Sequence, residues 1–265
     1  MIFVNPEYVV LLHQVNQKKD ELTDKIVEKD RLLAFVCREL KMNYMLKIGS
    51  LEYKKMLIEN DIKKTERKIE IVKKLKIVTE KTEVRVEEKI RKEFSEETKR
   101  EQELFADINQ AIEYSLKDPI TDDKLNDVEA SFAVLVRSWN PYINMDLPEQ
   151  RRIMYGQAEK AYEEGNIDLL ERYINLVEED EIVEQGEIGE MLFKYERYKR
   201  LIRDVNNVIT EIKSKFPYTE REMLESENLT RRRKNEINQE TMLLQEDLKE
   251  QEKILDDLIA KRRKL

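Results

Sequence analysis

Histidine and cysteine occur once each, as His13 and Cys37. A single cysteine excludes a disulfide framework and a thiolate metal set within one chain. A solitary histidine, with no nucleophile or ligand cluster at a known spacing around it, gives catalysis and metal binding nothing to build on. The five glycines stand at 49, 156, 165, 186 and 189, without the GxxxxGK or GxGxxG spacing that cradles phosphate. No run approaches the roughly 18 apolar residues that a membrane span requires. The opening residues, Met1-Ile2-Phe3-Val4-Asn5-Pro6, carry neither a positive n-region nor a small-residue cleavage site. These absences lead us to expect a reducing, cytoplasmic setting, no cofactor, no metal and no enzymatic activity.

Charge is what the chain has in quantity. Charged side chains make up 40% of 265 residues, and with only five prolines and five glycines to interrupt them they predict long helices. Apolar residues recur at helical spacing over most of the length, which separates the chain from a disordered polyelectrolyte. The net charge of −8 is localised: residues 121–180 hold 14 acidic and 6 basic side chains, whereas elsewhere 43 of each sign cancel. Balanced segments suit helices that pair with one another. The acidic middle weighs against nucleic acid or an anionic membrane as partner and fits a protein partner with a basic surface.

After Pro6, Tyr8, Leu11, Leu12, Val15, Leu22, Ile26, Leu32, Leu33, Val36 and Leu40 mark the apolar residues of a first amphipathic helix, with Lys18, Lys25 and Lys29 diluting it. From Leu51 a second helix carries Ile58, Ile62, Thr65, Ile69 and Val72 at alternating four- and three-residue steps, the seam of a coiled coil. Residues 91–103 are nearly all charged or polar, yet good helix formers without Gly or Pro, so this helix is expected to run on to Leu116 before Pro119 stops it. Thr121 or Asp122 caps a shorter helix bearing Leu125, Val128, Phe132, Leu135, Val136 and Trp139. Asn140-Pro141 ends it, Pro148 opens the next, and Gly165-Asn166 breaks that one before a helix from Ile167. Past the acidic run Glu178 to Glu181, Ile188, Met191, Tyr195, Tyr198, Ile202, Val205, Ile209, Ile212 and Phe216 form the clearest seam. Pro217 interrupts it, and Thr219 with Glu222 has the spacing of a capping box for a last helix, whose seam runs from Ile237 to Leu258.

The segment Ser131-Phe132-Ala133-Val134-Leu135-Val136-Arg137-Ser138-Trp139-Asn140-Pro141-Tyr142, with Tyr155, Ala158, Ala161 and Tyr162 downstream, resembles the central helices of a J-domain. Phe132, Leu135 and Val136 stand at core positions, Trp139 at the aromatic position, and Pro141 keeps the proline. Asn140 and Tyr142 replace the His and Asp of the His-Pro-Asp turn. The layout is similar to the coiled-coil J-domain-like proteins of bacteria and their phages, and the run Leu46 to Lys54 looks like the start of their coiled region. What the resemblance implies is a chaperone-related scaffold. J-domains dock through a basic second helix and need an intact His-Pro-Asp turn to stimulate a chaperone ATPase; here that helix is acidic and the turn reads Asn140-Pro141-Tyr142.

The expectation is therefore an all-α protein in which elongated antiparallel coiled-coil arms, residues 1–118 and 181–265, flank a degenerate J-like module at 119–180. Its expected role is that of a non-enzymatic adaptor or assembly protein. Trp139, Asn140, Pro141 and Tyr142 form the candidate partner-binding corner. A divergent co-chaperone that still recruits a chaperone ATPase is the alternative. A third reading, a nucleic-acid-associated coiled coil, would use the basic clusters Arg231, Arg232, Arg233, Lys234 and Lys261, Arg262, Arg263, Lys264; each adjoins acidic residues and lacks interleaved aromatics, so a solvated helix face is the simpler reading. The long seams are expected to pair with the N-terminal helices or with another chain, and a homodimer is expected.

Overall fold

A computed structural model describes residues 6–177 and 187–263. The fold is all-α, with no strand among the described residues. In chain order come α1 (Pro6–Arg31), a π-helical turn (Leu32–Val36), α2 (Cys37–Tyr44), a second π-turn (Met45–Gly49), α3 (Ser50–Lys74), α4 (Glu80–Glu93), α5 (Ser95–Ser115), α6 (Asp122–Trp139), α7 (Glu149–Glu163), α8 (Ile167–Ile174), α9 (Ile188–Lys213), α10 (Arg221–Glu225) and α11 (Glu227–Arg263). The acidic run Glu178 to Glu181, and Lys264, lie outside the described residues. Two compact units emerge: residues 1–39 with 118–219, and residues 40–117 with 220–265. This differs from the arm–module–arm division, because each unit takes helices from both ends of the sequence.

In the first unit α6 is the central helix. Thr121 caps it, its hydroxyl accepting from the Lys124 N–H, and Asn140 ends it. Val128, Phe132, Leu135 and Val136 are fully buried along one face, each side chain contributing about 1.5–3 kcal/mol of transfer free energy. α7 folds back against it antiparallel, so that Phe132 stacks on Tyr162 at 4.1 Å and on Tyr155 at 6.2 Å, while Phe35 meets Tyr162 edge-on at 5.1 Å. α1 also runs antiparallel to α6, joined by Asp20–Arg137 at 2.8 Å and Arg31–Glu129 at 3.1 Å. α9 lies along α1: Lys18 feels Tyr195 near its start, and Glu28 meets Lys213 at 2.9 Å near its end. Both indices rise together, so α1 and α9 are parallel.

The second unit contains the antiparallel hairpin expected of long helices, but between neighbours in sequence. α3 pairs with α4 and α5 through Asn60–Glu101 (2.7 Å), Arg67–Glu93 (2.8 Å) and Lys68–Glu87 (2.6 Å). The expected helix from Leu51 to Leu116 is broken at Leu75–Thr79, where Leu75 turns extended and Thr79 and Thr82 form a reciprocal capping box that starts α4. α11 then lies on α3, with Glu52 opposite Arg233, Lys55 opposite Glu240, and Lys73 and Leu75 opposite Arg262. This pairing is parallel too. The expectation that the two ends of the chain pair antiparallel is thus corrected in both units: a seam specifies which face is covered and not the direction of what covers it.

The seam on α9 packs on α1 and the seam at 237–258 packs on α3. Phe216 falls beyond α9 and is exposed. The last helix does not open at Thr219, which lies in a 3-10 turn (Tyr218–Glu220); α11 starts at Glu227, after Ser226, whose hydroxyl accepts from the Leu229 N–H. Gly49 is helical and close-packed: a Cβ there would stand 3.2 Å from Ile108 and 3.1 Å from the Met45 sulfur, so its lack of a side chain admits α5 to the second π-turn.

Candidate functional site

The turn between α6 and α7 holds the four candidate residues, and it divides them. Trp139 is buried, its ring meeting Tyr173 at 6.1 Å with the Arg151 guanidinium 4.8 Å over its face. Asn140 is only 4% exposed. Its side-chain amide donates to the Tyr155 hydroxyl at 2.8 Å, and its carbonyl oxygen accepts the Tyr142 N–H at 2.8 Å, so the residue uses both ends of its side chain to lock the turn. Pro141 is half-buried. Tyr142 alone projects, 69% exposed.

What holds the turn comes mostly from residues that the sequence did not assign to it. On α9, Arg197 donates to the Tyr142 carbonyl at 2.5 Å and the Ile143 carbonyl at 3.3 Å, and the Tyr198 hydroxyl donates to Ile143 at 3.2 Å. Asn144 reaches back to the Arg137 carbonyl at 3.0 Å. Arg152 donates to the carbonyls of Leu147 (3.0 Å) and Met145 (2.9 Å), while Arg151 reaches the Leu176 carbonyl at 2.6 Å. One signal for this pair was available: two arginines in the first turn of a helix oppose its dipole, and such placement needs another reason. Here the reason is a set of loop carbonyls. The result is a backbone fixed at successive carbonyls, with the side chains of Tyr142, Met145 and Ile153 left exposed.

The basic clusters are occupied differently from a phosphate-binding strip. Arg232 and Arg233 pair with Glu236, and Arg233 also faces Glu52. Arg262 donates to the carbonyls of Lys73 (2.9 Å) and Leu75, closing the C-terminus of α3, where a cation complements the helix dipole. Arg263 grips Glu83 with two nitrogens, at 2.6 Å and 3.0 Å. Arg231 and Lys261 are exposed, and Lys234 is half-buried.

A cleft of about 530 Å³ lies elsewhere in the first unit, beside the first π-turn, with Asp30, Arg38, Phe132, Gly156, Glu159 and Tyr162 among its walls. Burial pushes the Asp30 carboxyl above the usual range, against the pull of Lys29 at 2.9 Å. Burial likewise raises Glu129, which Arg31 partly offsets. Nothing in the sequence distinguished these carboxylates from solvated helix faces. No group of three His, Cys, Asp or Glu side chains among the described residues is placed to hold a metal ion.

No family model, no curated protein and no solved structure matches the chain.

Proposed function

We propose that this chain is a non-enzymatic adaptor that docks a protein partner, one with a basic surface, at the turn between α6 and α7. The observation that carries this is Tyr142: a large aromatic, mostly exposed, on a backbone held by Asn140, Arg197 and Tyr198. A fixed turn presents its anchor with little ordering left to do on binding, and aromatic anchors dominate interface energies. Met145 and Ile153 extend the apolar surface around it. The acidic composition of the surrounding segment favours the basic partner.

In this reading the module keeps the frame of a degenerate J-like helical hairpin and has given its turn a different task. The position corresponding to the signature histidine is occupied by a buried asparagine engaged inside the fold, unavailable to an incoming surface. The test places a photo-crosslinking amino acid at Tyr142, and separately at exposed Leu243 as control, in the full chain expressed in its source cells. A species captured at Tyr142, absent at Leu243 and lost with Met145→Asp is expected. Equal capture at both positions removes the docking role of the turn, and strong stimulation of the source chaperone's ATPase by the wild-type chain replaces the adaptor reading with the co-chaperone one.

A further inference from the structure

In the second unit α4 and α11 both pack on α3, but along their lengths they do not pack on each other. They are tied at one end only, where the Val78 N–H donates to the Arg262 carbonyl at 3.3 Å and Arg263 grips Glu83. Beyond that tie an open groove of about 740 Å³ lies between them over α3. Its floor is apolar, formed by the buried Val72, Val78 and Val86. The apolar surface left accessible belongs to the half-buried Leu75, Leu255 and Ile259, and to Val84, which is 58% exposed on the lip. The seam of α11 shows the same shortfall: Ile237 and Thr241 are buried, whereas Leu248 and Leu255, further along the same face, are only half-buried.

The shape of the groove selects a helix. Its α4 wall runs from Glu80 to Arg91, about 16 Å at helical rise and enough for about three turns of an incoming helix. Both walls are helices whose backbone hydrogen bonds are made internally, so no strand edge is offered here to an extended peptide. A helix lying between α4 and α11 would complete a four-helix arrangement over the apolar floor, and its side chains at i, i+4 and i+7 would meet Val84, Leu255 and Ile259.

Charge selects the character of that helix. On the α4 lip Glu87 is engaged by Lys68 and Glu83 by Arg263, while Glu80 and Glu88 have no ion-pair partner among the described residues. Across the groove Glu252 and Asp256 are exposed and fall, by helical spacing, on the Ile259 side of α11. Against these carboxylates the lining sets one cation that is not already paired, Arg91 at the open end. The net charge of −8 means that a second copy would bring acid to acid, and nucleic acid or an anionic membrane would meet the same repulsion.

We propose that the groove between α4 and α11 docks a basic amphipathic helix of a protein partner, its apolar side chains seated on Leu75, Val84, Leu255 and Ile259 and its cations facing Glu80 and Glu88. The site lies within the second unit and does not depend on the turn between α6 and α7.

Fluorescein-labelled peptides added to the full chain at physiological ionic strength test the assignment by anisotropy. One is acetyl-AKLKAKLAKLKAKLA-amide, whose leucines share one helical face amid lysines; the second replaces every lysine by glutamate, and the third keeps the lysine composition but scrambles the leucine spacing. Saturable one-site binding of the first is expected, with the other two weaker by at least about tenfold. Val84→Lys changes an exposed side chain, so it should keep the wild-type circular dichroism and weaken the lysine peptide at least about tenfold. Glu88→Lys should weaken the lysine peptide and strengthen the glutamate one. Val208→Lys, at a 41% exposed position on α9 in the first unit, is the control and should change neither. Absence of saturable binding overturns the proposal. So does equal affinity for the scrambled peptide, or equal weakening by Val84→Lys and Val208→Lys, either of which would mean diffuse association with an acidic chain. A wild-type chain that sediments as a dimer and becomes monomeric in Val84→Lys also overturns it, because a second copy then fills the groove. The comparison of the three peptides uses wild-type protein alone and stands even if a variant fails to fold.

Discussion

Asn140 joins two parts of the turn with one side chain, and its removal should be felt at both. Asn140→Ala leaves the Tyr155 hydroxyl and the Tyr142 N–H without their partner in a buried setting, at a cost of about 2–3 kcal/mol. A urea titration should show a lower midpoint at unchanged slope. Asn140→His should be as destabilising, since an imidazole cannot reproduce an amide that donates from one end and accepts at the other. Glu129 makes a second prediction at this scale. Its carboxyl sits above the usual range because burial penalises the charged form. A folded-state value above the unfolded one means the native state binds the proton more tightly, so this group's contribution favours the fold under acidic conditions and is lost as pH rises through the folded value. Glu129→Gln should therefore raise the denaturation midpoint at neutral pH, with the gain shrinking as the solution is acidified. An equal gain at all pH values would refute that origin.

α7 ends in a Schellman motif: the Asn166 N–H bonds to the Ala161 carbonyl at 2.8 Å and the Gly165 N–H to Tyr162 at 2.9 Å, with Gly165 at φ 65°. Asn166 then caps α8 through Leu169. Gly165→Ala forces an L side chain into the left-handed region at a cost of about 1–2 kcal/mol. The added Cβ would fall 2.8 Å from the tip of Ile120, a flexible atom that can move, so the backbone term should dominate. Thermal unfolding followed by circular dichroism checks it. Elements of this kind were the legible part of the sequence. Thr121, Pro141 and Gly165-Asn166 punctuate α6 and α7, and the faces of Val128 to Trp139 and of Met191 to Ile212 are the faces that the fold buries. The break at Leu75–Thr79 was not legible, because Leu-Lys-Ile-Val contains no Gly or Pro and its only cue is the short Thr79-x-x-Thr82 cap. The bonding within the candidate turn was not legible, since the partners of Asn140 and Tyr142 come from α7 and α9, 15 and 55 residues away.

At the scale of the whole chain, each unit has its own way of being observed. Trp139 is the only tryptophan and lies in an apolar cluster that extends from Tyr8 to Ile202 within the first unit. Ile237 on α11 is fully buried in the second. Ile237→Ala should cost about 2–5 kcal/mol. It should lower the helical transition seen by circular dichroism while the tryptophan fluorescence transition stays where it is. Coincident shifts of both signals would show that the two cores melt as one.

The parallel pairing of α3 with α11 has a consequence for how the chain is made. When the apolar face of α3, Ile58 to Val72, leaves the ribosome, the helix that will cover it is still roughly 150 residues from being synthesised, about ten to thirty seconds at ordinary elongation rates. α1 waits a comparable time for α9. For that interval the nascent chain carries amphipathic helices whose destined neighbours do not yet exist, and α4 and α5 are the first cover available to α3. Synthesis therefore imposes on this chain a period of dependence on its neighbours, ended only by translation of its last helix.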